Sequence, residues 1–485
     1  MLTKKETTKR NQVKMVCIEE LVPNNHILRK IEAAMDFSFI YDEVKELYCL
    51  DNGRPSIDPV VLIKLVMIEC LFGLNSMRRT IRECEVNMAY KWFLGYDIDE
   101  KVPHFSTFGK NYVRRFEGTD IFEKIFERIL KEAINSGFVN TETIFIDGTH
   151  IKANANTKNN YKETVKKQAK SYHKQLIKEI NKDRTEHNKK PFDDDNDGNG
   201  KTKTVIQTKS KTDPESGLFH KGEHKRCFAY TAHTSCDKSN FVLDVVVSSG
   251  NVHDSVKFDS LFEKLKSKYN NIKAIVVDAG YKTPHICKQI IDSNMMPVMP
   301  YKRPMGKKGF FRKNDFVYDE YYDCYLCPEN QVLKYSTTNK EGYREYKSQC
   351  DICKNCPRLK NCTQSKNTTK IVIRHVWEDY IEKAEDIRHT YYGKQIYSLR
   401  SQTIERVFAD AKEKYGMRYT QVKGINRVKN KVLMTFACMN LKKLTKFKQK
   451  YGLLKGLLST FFIKIINSIK ISKKSCIYTK TVSVV

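Results

Sequence analysis

The chain has 485 residues, with 87 Lys and Arg against 57 Asp and Glu, a formal charge of +30 and a pI near 9.4. A chain this long can hold more than one core, since single cores stop growing at about 250–300 residues, and an excess of cations this large points to a polyanionic partner. The excess is uneven: Glu413 is the last acid, and Lys414 to Val485 holds 17 Lys and Arg with no Asp or Glu. A general lysine bias would have left acids there, so a phosphate-facing surface is the better reading.

The start, "MLTKKETTKRNQVK", is polar and lacks the apolar stretch of a secretory signal; residues 1–15 read as a basic tail. Residues 16–135 read as a helical DNA-binding domain. "DPVVLIKLVMIECLFGL" carries a broad apolar face after the Ser56-Ile57-Asp58-Pro59 start signal. "NSMRRTIRECEVNMAYKWFLGY" then reads as one second helix with Arg78, Arg79 and Arg82 near its start. Two short basic helices joined at Gly-Leu-Asn resemble a helix-turn-helix, which makes those arginines candidate DNA contacts.

From Glu142 the apolar period becomes that of strands: "TIFIDGTHIKANA", "CFAYTAHTSC", "NFVLDVVVSSG", "IKAIVVDAGY" and "MMPVMPYK". Residues 158–212, rich in Lys, Asn and Asp, read as a flexible basic insertion with one helical stretch. Their run "PFDDDNDGNG" lacks the glutamate that would close a calcium loop. Helices "HDSVKFDSLFEKLKSKY" and "KTPHICKQIIDSN" precede the fourth and fifth strands, and a long helix is expected at 377–414. This order is that of an α/β RNase H-like fold, a mixed sheet flanked by helices. It is expected to occupy 140–304 and 377–450, with a small cysteine-rich insertion at 305–376.

Asp147, in "IFIDGTH", is by itself a hairpin residue, because Asp-Gly between β-prone residues is a strong turn signal. In this order it ends the first strand and Asp278 ends the fourth, so adjacent strand ends bring two carboxylates together. On the last helix Glu405, Asp410 and Glu413 compete for a third place. With Ile404, Val407, Phe408 and Ala411 as the buried stripe, Glu405 and Lys412 share one flank, Asp410 takes the other, and Glu413 points away. Asp147, Asp278 and Glu405 are thus the candidate catalytic acids. Three such carboxylates suit Mg²⁺ or Mn²⁺ and in-line phosphoryl transfer, with Arg400, Arg406 and Lys412 meeting phosphates nearby.

Nine cysteines are scattered singly and read as reduced, mostly buried thiols. Six cluster as Cys324-x2-Cys327 and Cys350-x2-Cys353-x2-Cys356-x5-Cys362, a spacing that suits structural Zn²⁺ although six exceed the four ligands needed. The late segment "GLLKGLLSTFFIKIINSIKI" is interrupted by lysines, so 451–485 reads as a basic amphipathic tail and not a membrane span. A cytoplasmic, nucleoid-associated protein is expected.

These pieces, in this order, resemble the Asp-Asp-Glu (DDE) transposases of bacterial insertion sequences, in the branch with a Tyr-Arg-Glu-Lys signature on the last helix. That signature falls on Tyr397, Arg400, Glu405 and Lys412, with one residue more than usual between Arg400 and Glu405. The likeness extends through "GRPSIDPVVLIKLVMIECLFGLNSMRR", "TDPESGLFHKG", "GNVHDSVKF" and "ERVFADAKEKYGMRYTQVKG". The resemblance implies binding of terminal inverted repeats in double-stranded DNA, nicking, strand transfer to target DNA, and a homodimer or higher oligomer. It also implies that Cys327, Cys353, Cys356 and Cys362 are the zinc set, with Cys324 and Cys350 as alternatives. A DNA-binding repressor and an inactive relic remain the competing readings.

Overall fold

The computed structural model describes residues 12–49, 56–166, 172–192, 204–221, 225–303 and 306–454. Most of the expected basic tail, the "DDDNDGNG" run and the amphipathic tail beyond Leu454 lie outside the described residues. Among the described residues no helix is long and apolar enough to cross a membrane.

Among the described residues, the chain up to Asn135 forms helices and no strand. Pro59–Leu71 starts as its sequence predicts: Asp58 accepts a hydrogen bond from the Val60 amide at 2.7 Å and proline takes the first helical position. The expected second helix is instead two, Met77–Val86 and Met88–Leu94. Asn87 divides them: its backbone is extended, it ends the first helix, and its side chain accepts from the Ala89 and Tyr90 amides of the second. Arg78, Arg79 and Arg82 are all exposed on the first of the two.

The strands are β1 (Thr143–Lys152), β2 (Asn160–Lys166), β3 (Thr204–Ser210), β4 (Gly217–Lys221), β5 (Lys225–Cys236), β6 (Val242–Ser249), β7 (Ala274–Val276) and β8 (Met296–Val298), followed by β9 (Val317–Asp319), β10 (Cys324–Leu326), β11 (Val332–Thr338), β12 (Tyr343–Lys347) and β13 (Ile371–His375). The main sheet runs β4-β5-β1-β7-β8, with β6 beside β4 on the outer edge of β5. β5 lies antiparallel to β1 and β6, while β7 is parallel to β1 and β8 parallel to β7. All of Ala274 to Val277 are buried, as expected of a parallel strand covered on both faces.

Helix Ile425–Lys450 unites the molecule. It packs on Pro59–Leu71, on Ile121–Asn135 and on β6, inside one core that runs from the N-terminal helices into the sheet. Asn440, buried, accepts from the Val242 amide at 2.9 Å and donates to the Val242 carbonyl at 2.8 Å, satisfying part of the sheet edge. Acids of the N-terminal helices meet its cations: Arg427–Glu117 at 2.7 Å, Lys429–Glu123 at 2.7 Å, Lys431–Glu69 at 3.4 Å and Lys448–Glu132 at 2.6 Å.

Two expectations need correction. Residues 158–212 are not a flexible insertion where described: β2 and β3 form a ribbon, and helix His173–Glu186 docks on the cysteine-rich insertion. Leu176 and Ile180 pack with Trp377, Asp183 accepts from Arg344 at 2.6 Å, and His187 pairs with Asp323 at 2.7 Å. Few apolar residues are needed when the polar ones are matched across the contact. The expected long helix at 377–414 is also broken, into Glu378–His389, Tyr391–Ser398, a 3₁₀ turn Leu399–Gln402, and Ile404–Lys414. Thr390 caps the second segment, and Thr403 departs from helical geometry with ψ −102°.

Glu123 also pairs with Lys264 at 3.1 Å. Burial alone would raise its carboxyl, but the hydrogen bonds from Lys429 and Lys264 outweigh that and bring it down to about 2. A depressed carboxylate stabilises the fold above its unfolded value near 4.5, and that contribution disappears as pH falls from there through about 2. Glu123→Gln is therefore expected to cost about 1–2 kcal/mol in urea unfolding at pH 7, after allowance for partial solvent screening. The difference from wild type should shrink steadily below pH 4.5; a difference independent of pH would contradict this assignment.

Candidate active site

Asp147 lies inside β1 and not at its end. No hairpin forms at Asp147-Gly148; the strand continues to Lys152 with Asp147 opposite Thr234 of β5. What ends near Asp147 is the parallel pairing with β7, whose last partners are Phe145 and Val276. Asp147 and Asp278 each stand two residues past that point, where neighbouring strands part. A local turn preference has yielded here to pairing with the long β5.

Asp278 is exposed, and its side chain makes no capping hydrogen bond. The capping role belongs to Thr283, whose hydroxyl accepts from the Ile286 amide at 3.3 Å. Asp147 is mostly buried. One of its oxygens accepts from the Gly148 amide at 2.7 Å and the other from Arg400 at 2.7 Å.

Arg400, only 4% exposed, also reaches the Ile146 carbonyl at 3.4 Å and stands 3.9 Å from Glu405. Arg400 lies in the 3₁₀ turn Leu399–Gln402, and Glu405 is the second residue of the next helix, Ile404–Lys414. The longer Arg400–Glu405 spacing spans that break. Arg400 thus meets the carboxylates from within the fold and is almost wholly covered. Tyr397 sits beside it, with the guanidinium 5.8 Å from the ring centre. Burial foremost raises the Tyr397 phenol; Arg400 opposes this, and Asp278, Glu405 and Asp147 add to it.

The other acids of the last helix are engaged elsewhere: Asp410 pairs with Lys414 at 2.6 Å, and Glu413 with Arg418. Lys412 is partly exposed on the Glu405 flank. Arg406 is exposed on the opposite flank and faces Lys442, Lys443 and Lys446, so it is not gathered with the carboxylates.

A fourth carboxylate is present that the sequence reading passed over. Asp254, first residue of helix Asp254–Lys268, packs against both strand ends. A Cβ on Gly148 would fall 2.9 Å from one of its oxygens, and a Cβ on Gly280 3.5 Å from the other. Each of these glycines closely follows one of the candidate acids, and that pairing was the available signal. Behind Asp254 lie His233, at 3.7 Å, and Tyr281, both buried. His233 also meets the Ser248 hydroxyl at 2.9 Å and the Tyr281 hydroxyl at 3.4 Å.

Burial is the largest influence on Asp147 and raises its carboxyl to about 6; Arg400 and the Gly148 amide pull down, and Asp278 and Asp254 push up. A buried carboxylate held this high beside two others lacks positive charge. All-oxygen donors of this kind fit a hard divalent cation. As placed, no group of three or more His, Cys, Asp or Glu side chains among the described residues is gathered closely enough to hold a metal ion. Arg400 stands between Asp147 and Glu405.

The cysteines divide in two. The Cys362 thiol is raised by burial first, with Lys370 opposing, and Cys353, Cys327 and Cys356 are close enough to raise it further. Cys324 is instead buried in β10, and Cys350 meets the Thr368 hydroxyl at 3.2 Å. Among the described residues every cysteine is a free thiol, and of those scattered singly Cys17 and Cys49 are exposed and not buried.

Residues 326–445 match the family described as transposase DDE domain, and residues 16–114 match the family described as transposase domain (DUF772). The first match contains Tyr397, Arg400, Glu405, Lys412 and the four neighbouring cysteines; neither contains Asp147 or Asp278. No curated protein matches the chain.

His233 gives a pH test of this region. Burial above all, then Lys257 and His150, lower its imidazole to about 4. The unfolded state then binds the extra proton first, so stability is full above about 6.5 and is lost as pH falls toward 4. His233→Asn should remove about 2–3 kcal/mol of the acid destabilisation between pH 7 and 4. Thermal unfolding curves of equal pH slope in wild type and variant would contradict it.

Proposed function

We propose that this chain, a DDE-type transposase of an insertion sequence by both of its family matches, binds the inverted repeats at its element's ends, nicks there and transfers the freed strands to target DNA. One observation carries the reading. Asp147 and Asp278 each stand two residues past the last paired residues of β1 and β7, and Arg400, paired with Asp147, lies 3.9 Å from Glu405. The strand order β6-β5-β1-β7-β8 supports an RNase H-like catalytic domain. The exposed Arg78, Arg79 and Arg82 support a DNA-binding role for the N-terminal helices.

Asp147, Asp278 and Glu405 would hold Mg²⁺ or Mn²⁺, which supplies activation of a water or 3′-hydroxyl and stabilisation of the leaving oxygen. The chain's own part is positional. Arg400 fixes the Asp147 carboxylate and keeps it ionised against its burial. Asp254 adds negative charge between the two strand ends, strengthening the demand for a cation there. Tyr397 walls the cleft beside Arg400, and Lys412, on the Glu405 flank, is placed to meet a phosphate of the bound strand.

Incubation of the full chain with Mg²⁺ and a duplex carrying its own element end should give a nick at the end. Asp147→Asn should cut at least about 100-fold more slowly, since even partners of metal ligands cost 10–100-fold. Wild-type protein that binds the ends without nicking them would favour the repressor or relic reading.

The cysteine insertion is proposed to hold one structural Zn²⁺ through Cys327, Cys353, Cys356 and Cys362. Metal analysis should then find about one zinc per chain. It should be lost in Cys353→Ser and kept in Cys324→Ser and Cys350→Ser; equal loss in all three would refute that ligand set.

A further inference from the structure

Helix Ile404–Lys414 has two flanks, and only one faces the carboxylates. The other forms, with helix Ile425–Lys450 and Asn240, a groove of about 220 Å³. Its cations differ from the others on the long helix. Arg427, Lys429, Lys431 and Lys448 each meet an acid. Among the described residues Arg406, Lys442 and Lys446 have no carboxylate within ion-pair distance, and the one acid in the groove, Asp410, is taken by Lys414 at 2.6 Å.

Lys442 and Lys446 are one helical turn apart, a spacing at which like charges repel. Lys443, below them, donates to the Ser239 and Asn240 carbonyls at 2.9 and 2.8 Å, so it is fixed in place. Like charges gathered in a concave site whose one lining acid is already paired make an anion site. A groove partly open to solvent and lined by cations from two helices suits a chain of phosphates better than a single small anion.

We propose that this groove binds the phosphodiester backbone of duplex DNA, with Arg406, Lys442 and Lys446 as phosphate contacts and Lys443 as its fixed floor. The proposal rests on DNA being the substrate, but not on the chemistry at the carboxylates. Burial, with Lys446 and Lys414 adding and Asp410 opposing, lowers the Lys442 ammonium, and burial foremost lowers Lys443 to about 8 against the opposing pull of Asp237 and Asp410. The helix between groove and carboxylates is about 10 Å wide. A duplex has one charge per ~1.7 Å of axis, so a strand cut at the acids has phosphates within reach of the groove.

The test measures binding of the full chain to two labelled duplexes, one with an element end and one of random sequence. Salt is varied and EDTA is present, so that nicking plays no part. Each phosphate contact contributes about 0.9 to the slope of log affinity against log salt. The variant R406Q/K442Q/K446Q should therefore lose about 2–3 from the slope, with an unchanged melting temperature. Loss on both duplexes assigns the groove to any backbone, target included; loss on the element end alone assigns it to the flank of that end. An unchanged slope on both duplexes overturns the proposal. Should the triple variant misfold, Lys446→Glu, at an exposed position, must still flatten the slope by about 1 or more. Failure of wild type to bind either duplex would overturn the DNA reading itself, whereas failure to nick would leave the binding comparison intact.

Discussion

The site depends on one buried guanidinium. Arg400 is the only cation within ion-pair distance of Asp147 among the described residues, and it joins the middle of the sheet to the helix that carries Glu405. A charge this deeply buried is costly unless paired, and removing one partner of such a pair typically costs about 3–5 kcal/mol. Arg400 lies four and seven residues before Ile404 and Val407, so helical spacing alone gives it their inward face, and it sits within the break Leu399–Gln402 that precedes the helix carrying Glu405.

Charge matching organises the rest. Each basic residue that the long helix Ile425–Lys450 presents to the N-terminal helices finds a glutamate, so the helical region and the sheet share one core and a tight polar seam. The two insertions hold each other in the same way, through Asp183 with Arg344 and His187 with Asp323. Among the described residues, Arg78 and Arg82 of Met77–Val86 and the groove beside Arg406 are two places where cations stand without an acid in ion-pair distance. Surfaces that the fold does not neutralise are the natural places for a polyanion.

Much of this was legible in the sequence because burial leaves a pattern. The apolar runs of β1, β5, β6, β7 and β8 and their alternation with helices defined the sheet order, and helical spacing separated Glu405 from Asp410 and Glu413. Contacts between distant segments were not legible. Asp-Gly at 147–148 signalled a turn, and only the long pairing with β5 overrules it. Asp254 drew no attention in the sequence because its approach to Gly148 and Gly280 joins distant segments, and the glycines that follow the two acids were the one trace of it. Residues 158–212 read as a flexible insertion with one helical stretch because the polar side chains of 172–192 are matched by partners more than a hundred residues away. Asn87 and Thr403 broke expected helices, since a capping side chain and a single non-helical residue weigh little against an otherwise continuous apolar period.

The central claim is that Asp147, Asp278 and Glu405 share a bound divalent cation. Fe²⁺ in place of Mg²⁺, with ascorbate and peroxide, generates hydroxyl radicals that cut the polypeptide beside the metal, and mass spectrometry of the fragments locates the cuts. Cuts near residues 147, 278 and 405, suppressed by excess Mg²⁺, are the expected result. Cuts confined to other segments, or unaffected by Mg²⁺, would contradict a shared cation at these three carboxylates.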